Sequence, residues 1–383
     1  MAQQLKTDWI LFITVLVMVA CGILLVYSAS SVMAQMDPHY RNSWHYVQRQ
    51  AMWGVLAIAL MMVLKNTYYR KLQNPAVAMT AISIALFLLL MVLVLDPVNR
   101  RWIHVWGPIR LQPSELAKPA LVVFLAFFVT WRARAINSAR YTLVPAALAV
   151  GLVILAVVVA DLGTAIVIGA AAALVFFVAG LEWRYCAIVA ALAGIGLVIF
   201  ICVKTYRLAR VIQFFDRDFK IVSIFDKKGV LKTRLEESLT TRDTNYQLEQ
   251  SKIAVGAGGP VGLGFMEGRQ KLLYLPEAHK DFIYAVAGEE LGMVGSIGLL
   301  VGFGLIFWRG LRATVRMRDD FGKYLALGLT VVVVVQGFIH MSVVLGMMPT
   351  KGIPLPMISY GGSSLVSTLM CLGMLMNVSE HAG

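Results

Sequence analysis

The chain has 383 residues, of which 59% are hydrophobic and only 14% are charged, and its mean hydropathy is +0.76. This composition excludes an ordinary water-soluble domain and indicates a polytopic helical membrane protein, because apolar runs of about 18 or more residues recur along the chain. The net charge of +13 does not indicate a nucleic acid partner, since much of the Lys and Arg lies in short loops between apolar runs. The positive-inside rule, or binding of anionic headgroups or pyrophosphate, explains it better.

The apolar runs predict an all-α fold of about ten transmembrane helices within a single membrane domain, residues 1–383. Helices are expected because a backbone in lipid must satisfy its own hydrogen bonds. The predicted spans cover residues 10–29, 51–64, 77–95, 115–131, 143–160, 162–181, 185–203, 282–308, 324–346 and 362–378. A large hydrophilic loop, residues 204–280, separates the seventh span from the eighth.

Basic residues in the short loops predict the orientation in the membrane. Alternate loops carry Lys65, Arg70, Lys71, Arg132, Arg134, Arg140, Arg184, Arg309, Arg312, Arg316, Arg318 and Lys323. Together with Lys6 they define a cytoplasmic side, so both termini are expected inside and the 204–280 loop outside. The opposite loops also carry positive charge, which indicates an anion-binding surface there: Arg41, Arg49, Arg100, Arg101, Arg110 and Lys351.

A titratable cluster ends the large loop and leads directly into the eighth span. It consists of Glu277, His279, Lys280 and Asp281. Asp281 has two interpretations: an N-cap of the following helix, since Asp is favoured there, or a base at the membrane surface. A base beside an anion-binding surface is what glycosyl or phosphoryl transfer from a polyprenyl pyrophosphate requires.

Other ionisable residues lie within or between the spans, where charge is costly and usually has a partner or faces a cavity. Glu115 and Lys118 are three residues apart and share a helix face, as a structural ion pair or as the wall of a polar cavity. Asp161 is either the N-cap of the sixth span or a cavity residue. Glu289 and Glu290 follow in the eighth span, and at least one of them is expected to have a structural partner.

The segment 346–364 contains three prolines and several glycines, which predict a non-helical connection before the last span. Non-helical backbone at membrane depth is tolerated where it is buried in protein or lines a wet cavity. It is either a rigid turn or a cavity wall near Asp281, with Lys351 contacting an anion.

Together these segments resemble the SEDS family (shape, elongation, division and sporulation), which contains the peptidoglycan polymerases FtsW and RodA. The resemblance is carried by Tyr27-Ser28-Ala29-Ser30, Arg101-Trp102, Gln112-Pro113-Ser114-Glu115-Leu116-Ala117-Lys118, Asp161-Leu162-Gly163-Thr164, Leu275-Pro276-Glu277-Ala278-His279, Asp281-Phe282-Ile283, Glu289-Glu290-Leu291-Gly292 and Ser359-Tyr360-Gly361-Gly362-Ser363-Ser364. Residues 270–279 are more similar to the FtsW, cell-division, branch than to RodA. Four features depart from the family pattern. Lys280 stands where Thr is common, and His340 where Asn is expected. Asp161 follows Val159-Ala160 rather than Gln-Pro or Glu-Pro, and the stretch 216–245 is longer than usual.

The resemblance implies a multi-pass protein of the bacterial cytoplasmic (inner) membrane that polymerises lipid II outside the cell, with Asp281 as the essential carboxylate. The implied partners are a class B penicillin-binding protein, lipid II, the undecaprenyl-pyrophosphate-linked glycan and other divisome or elongasome membrane proteins. The implied cofactor is a divalent cation, Mg²⁺ or Mn²⁺, whose ligands the sequence does not identify. A lipid II flippase and a non-catalytic scaffold remain alternatives.

The other expected site residues fall into two groups. The candidates for binding substrate or pyrophosphate are Arg101, Lys118, Lys351, Lys271, Arg207 and Arg210. The candidates for lining or supporting the cavity are Trp102, Gln112, Ser114, Glu115, Asp161, Glu277, His279 and Ser359.

Overall fold

The computed structural model describes residues 7–38, 41–96, 100–106, 109–203, 205–216, 235, 244–272, 274–349 and 352–382. Its helices are α1 (Trp9–Met36), α2 (His45–Asn66), α3 (Pro75–Leu95), α4 (Pro113–Trp131), α5 (Val144–Ala160), α6 (Leu162–Val178), α7 (Trp183–Cys202), α8 (Thr205–Phe215), α9 (Thr244–Gly258), α10 (Ile283–Arg316), α11 (Asp320–Val344) and α12 (Gly362–His381). A short antiparallel hairpin, β1 (Ile103–Trp106) and β2 (Ile109–Leu111), precedes α4.

The predicted all-helical membrane fold is confirmed. In the described part of the chain nine helices are long and apolar enough to cross a membrane, and the shorter apolar helix α6 supplies a tenth candidate span. The hairpin β1–β2 was not predicted; it connects the loop after α3 to the start of α4. The non-helical connection predicted for residues 346–364 is confirmed for 346–349 and 352–361, whereas residues 362–364 already belong to α12.

Helices α4, α11 and α12 form the centre of the bundle, and most of their residues are buried. Their polar side chains are buried as well, and Lys118 bonds to both Glu115 and Gln336 inside the bundle. Helix α7 is the opposite case, because none of its residues is buried. The glycine-rich segment after α9 packs closely on α10: a Cβ on Gly262 would lie 2.1 Å from the carbonyl oxygen of Glu290. Gly292 breaks α10 there with φ 64°.

The first and last described residues of the chain lie close together, at one end of the helix bundle. The guanidinium of Arg309 contacts Asp8 at 2.8 Å, and Lys65 contacts Glu380 at 2.8 Å. Tyr69 donates a hydrogen bond to Asp319. Lys65, Arg70 and Arg309, three of the basic loop residues that predict the cytoplasmic side, therefore lie at this end. The Asp281 segment lies where α10 begins, at the other end.

Candidate active site

Asp281 is presented by a turn immediately before α10. The backbone N–H groups of Lys280 and Asp281 both donate to the carbonyl oxygen of Glu277, at 2.9 and 3.1 Å. The helix begins at Ile283 with Phe282 as its N-cap, so the N-cap interpretation of Asp281 is wrong. Among the described residues none donates a hydrogen bond to its carboxylate, which remains open for another role.

Burial raises the pKa of the Asp281 carboxyl from 3.8 to about 6. The charges of Arg101 and Lys280 act in the opposite direction, and those of Glu277 and Asp161 add to the rise. The ammonium of Lys280 points to Glu277, with Nζ 2.7 Å from Oε2, in an exposed ion pair. Lys280 therefore lowers the pKa of Asp281 less than burial raises it, so the departure from the family pattern leaves Asp281 suited to act as a base.

Gly352 lies directly against the Asp281 carboxylate. A Cβ at this position would lie 2.7 Å from Oδ2 and 3.2 Å from Cγ of Asp281. Real Cβ contacts are not that short, so any larger residue here would push the carboxylate or the loop away. Because glycine has no side chain, the backbone at Gly352 can cover one side of the Asp281 carboxylate.

Arg101 pairs with Asp161 and also acts on Asp281. Its Nη2 is 3.5 Å from Oδ2 of Asp161, and its charge has the largest effect on the Asp281 pKa of any neighbouring charge. Its Nε is buried and has no partner among the described groups. The backbone N–H groups of Arg101 and Trp102 approach the carboxylate of Asp96 at 3.3 and 3.4 Å, which orients this segment.

Asp161 is the N-cap of α6, as one interpretation predicted. Its Oδ1 accepts hydrogen bonds from the backbone N–H groups of Gly163 and Thr164, at 2.9 and 3.2 Å. Its Oδ2 accepts from the hydroxyl of Thr164 and faces Arg101. The carboxylate is therefore fully engaged, and its charge orients Arg101.

Ser359 ties the last connection to the Asp281 turn. Its hydroxyl donates to the carbonyl oxygen of Lys280 at 2.6 Å and accepts from the N–H of Leu355 at 2.8 Å. The N–H of Tyr360 donates to the carbonyl oxygen of His279 at 2.9 Å. Gln50 of α2 binds the same connection with both ends of its side-chain amide. Its Nε2 donates to the carbonyl oxygen of Ser359, and its Oε1 accepts from the N–H of Gly361.

His279 is a buried support rather than a surface group. Its ring lies 4.9 Å from the ring of Tyr46 and 5.5 Å from that of Tyr360, centre to centre. Burial lowers its pKa to about 4; Lys280 contributes to the fall and Glu277 opposes it. The imidazole is therefore neutral at pH 7, and both its nitrogens lack a hydrogen-bond partner in the described region.

Lys118 is the centre of a buried polar group inside the bundle. Its Nζ contacts Oε2 of Glu115 at 2.7 Å and Oε1 of Gln336 at 2.6 Å, which confirms the ion-pair interpretation. Gln112 donates to the hydroxyl of Ser114 at 3.0 Å one turn earlier. All of these side chains are buried.

Lys271 is also committed to a buried ion pair. Its Nζ lies 2.6 Å from Oε1 of Glu290, and both contact the hydroxyl of Ser28. The carboxylate of Glu289 accepts hydrogen bonds from the backbone N–H groups of Arg269 and Gln270. The expectation that at least one of these glutamates has a structural partner is confirmed.

The remaining anion-binding candidates are not brought to Asp281 in the described part of the chain. Arg207 lies on α8, where its guanidinium stacks on Phe200 of α7 at 3.7 Å. Arg210 is half-buried on the same helix. Lys351 lies outside the described residues. Arg101 is therefore the candidate with donors free for an anion beside Asp281.

Sequence reasoning missed Gln50 and Gln336 as parts of the site. Gln336 lies in an apolar run and Gln50 just before one, and both are buried and bond to the 352–361 connection. A lone Gln within a span, such as Gln336, is a signal of an internal partner, but it does not indicate which residue that partner is.

A divalent cation has few protein ligands in this region. No group of three His, Cys, Asp or Glu side chains arranged to hold a metal occurs among the described residues. The carboxylate of Asp161 is engaged, so Asp281 offers the open oxygens. A site with a single such carboxylate fits a cation such as Mg²⁺, which keeps several waters and is bound by one or two carboxylates together with substrate phosphates.

The fold and the site define a polytopic helical membrane protein with an open, half-buried carboxylate and an adjacent guanidinium at one end of the bundle. A family profile described as cell cycle protein, covering FtsW, RodA and SpoVE, matches residues 8–383. The chain belongs to this family, the SEDS proteins.

The curated relatives extend over nearly the whole chain. A probable peptidoglycan glycosyltransferase FtsW of Geobacter metallireducens is 34% identical, with 98% of this chain and 95% of the relative covered. Stage V sporulation protein E of Bacillus subtilis is 32% identical, with 99% of each covered.

Two solved structures share the fold. A chain of a peptidoglycan synthase complex, solved to describe the coordination of polymerization and crosslinking, has a TM-score of 0.73 and 27% identity, with 99% of each chain covered. The rod shape determining protein RodA of Thermus thermophilus has a TM-score of 0.64 and 27% identity, with 98% of this chain and 97% of RodA covered.

Proposed function

We propose that this chain is a peptidoglycan glycosyltransferase that polymerises lipid II into β-1,4-linked glycan at the outer face of the bacterial cytoplasmic membrane. The observation that carries the proposal is the Asp281 carboxylate, which is open, half-buried and has a pKa of about 6 beside Arg101. A general base is most effective when its pKa is near the working pH. The names of the curated relatives support the same activity.

In the proposed reaction the growing glycan, attached to undecaprenyl pyrophosphate, is the donor and lipid II is the acceptor. Asp281 takes the proton from the 4-hydroxyl of the acceptor GlcNAc. The oxygen then forms a bond to C1 of the donor MurNAc with inversion, while the bond from C1 to the pyrophosphate breaks. Arg101 offsets the charge on the departing pyrophosphate, and the proton on Asp281 is released to water.

A divalent cation bound with the pyrophosphate would supply further charge stabilisation to the leaving group. It would be held mainly by the pyrophosphate oxygens and water, because an Asp281 carboxylate bound to the cation would be a weaker base. We keep Mg²⁺ or Mn²⁺ as the proposed cofactor.

The orientation follows from the two ends of the bundle. Lys65, Arg70 and Arg309 lie at the end opposite to Asp281, and short loops rich in Lys and Arg stay in the cytoplasm. Both termini are then inside, and Asp281 faces the extracytoplasmic side, where lipid-linked donor and acceptor meet.

A role in septal synthesis is supported by the FtsW relatives, although the sporulation protein and RodA also match. The solved complex that coordinates polymerization with crosslinking supports a cross-linking partner, for which we propose a class B penicillin-binding protein. The test is purified protein with that partner, labelled lipid II and Mg²⁺ or Mn²⁺, read as a ladder of glycan strands. An intact complex without a ladder contradicts the proposal; movement of lipid II across proteoliposomes would then favour the flippase, and neither activity would favour the scaffold.

The polymerisation rate should fall as the pH drops through about 6, because the base must be deprotonated. The folded-state pKa lies above the ordinary value, so protonation of Asp281 favours the folded state, and the loss is not caused by unfolding at this residue. Initial rates should be measured from about pH 5 to about pH 8, with circular dichroism at each pH. A rate that is unchanged across this range would contradict the assignment.

Replacing Gly352 with Ala should lower kcat about tenfold or more, since a displacement near 1 Å in a site can cost up to about a hundredfold. The added Cβ would displace the Asp281 carboxylate or the loop. Gly361→Ala is the matched control in the same connection, because its Cβ would meet Ser364 at an ordinary 3.7 Å. Equal rates for the two variants would show that the contact of Gly352 with Asp281 is unimportant.

A further inference from the structure

Two buried residues on α11 hold consecutive carbonyl groups of the last connection. Nε2 of Gln336 donates to the carbonyl oxygen of Pro354 at 2.9 Å. Nδ1 of His340 lies 2.6 Å from the carbonyl oxygen of Ile353. A carbonyl oxygen can only accept, so Nδ1 carries the hydrogen in this contact. Gln336 and His340 are four residues apart in the sequence and therefore share one face of the helix.

The buried ion pair fixes the direction of the Gln336 amide. Nζ of Lys118 donates to Oε1 of Gln336 at 2.6 Å, and its charge is balanced by Glu115. An ammonium group has donors only, so the oxygen of the amide must face Lys118 and the NH₂ group must face Pro354. Lys118 therefore has a described role that needs no contact with substrate.

The carbonyls that α11 holds come directly after Gly352, whose backbone covers the Asp281 carboxylate. Gly163 of α6 leaves room for this arrangement, because a Cβ there would lie 2.2 Å from Cδ1 of Ile353. On the other side of Asp281, Ser359 bonds the carbonyl of Lys280. The connection is thus anchored on both sides of the candidate base.

From this geometry we infer that Gln336 and His340 are positioning residues: they hold the backbone of residues 352–354 in place so that Gly352 sets the position and the shielding of the Asp281 carboxylate. The inference deepens the proposed function and rests on it for its effect on rate. Because the two side chains act on the base rather than on the substrate, their loss should lower kcat and leave the KM for lipid II unchanged.

Hydrogen exchange tests the anchoring without any use of catalysis. The amides of Leu355, Ile358 and Ser359 are hydrogen-bonded within the connection. In Gln336→Met combined with His340→Leu their exchange should accelerate by up to about thirtyfold, as expected when two hydrogen bonds of ordinary strength are lost. Thr330→Val, elsewhere on α11 with a hydroxyl bonded within its own helix, is the control. Exchange equal to that of the wild type in the double variant would overturn the inference.

Polymerisation by the complex with the class B partner is the second arm. The double variant should lose about tenfold or more in kcat at unchanged KM, and His340→Gln, whose amide can still donate to Ile353, should retain most of the rate that His340→Leu loses. Faster exchange with a wild-type kcat, or no rescue by His340→Gln, would overturn the positioning role. A wild-type complex that makes no glycan would instead refute the proposed function, while the exchange experiment would still decide the anchoring.

Discussion

Asp281→Asn should abolish the glycan ladder, with a loss of about 10²–10⁴-fold in the polymerisation rate, the usual contribution of a general base. Asn has nearly the same shape as Asp, so the turn on Glu277 and the contact with Gly352 are retained. An amide cannot take the proton from the acceptor hydroxyl at neutral pH. Purified variant and wild type, each in complex with the class B partner, are to be compared on labelled lipid II.

Glu277→Gln is the matched control for this experiment. Glu277 lies on the same turn, but its carboxylate is exposed and paired with Lys280, so its loss should change the rate little. If Asp281→Asn still makes a full ladder in an intact complex, Asp281 is not the base. If Glu277→Gln loses the ladder while Asp281→Asn keeps it, Glu277 is the base instead.

The helices of this protein could be predicted from hydropathy, but their ends could not. Helix α1 continues to Met36, beyond the predicted residue 29, and α2 begins at His45 rather than at residue 51. In both places the helix extends through polar residues at the end of the apolar run. Hydropathy measures what lies in the hydrocarbon layer, whereas a helix ends where its backbone loses hydrogen bonds.

The candidate base could be identified from the sequence, because a carboxylate beside basic residues at the end of a span is unusual. Its environment could not. The open carboxylate depends on Gly352 and Ser359, which lie more than seventy residues further along the chain. A single sequence does not reveal such pairings, since the partners share no local pattern.

The basic residues show the same limit. From the sequence, Lys118, Lys271 and Arg101 are equally good candidates for binding the pyrophosphate. The structure pairs Lys118 with Glu115 and Lys271 with Glu290, both in buried positions. A charge within a bundle needs a partner, and each lysine has one in the nearest glutamate.

Glu290→Gln should strongly destabilise the protein, by about 3–5 kcal/mol, because it leaves the Lys271 ammonium buried without its counter-charge. The ion pair has an N–O distance of 2.6 Å, and both side chains are almost completely buried. Combining Glu290→Gln with Lys271→Met removes both charges and should recover most of this loss, since replacing a whole buried pair is often nearly neutral. Thermal unfolding of the purified variants in one detergent measures both effects.

The same double variant separates a structural Lys271 from one that binds pyrophosphate. If Lys271 only balances Glu290 and orders the segment before the Asp281 turn, the stable double variant should polymerise lipid II at close to the wild-type rate. If Lys271 contacts the pyrophosphate, the double variant should be stable and inactive. The hydroxyl of Ser28, which lies between the two charges, provides the milder comparison: Ser28→Ala keeps the ion pair and should cost only about 1 kcal/mol, the worth of an ordinary hydrogen bond.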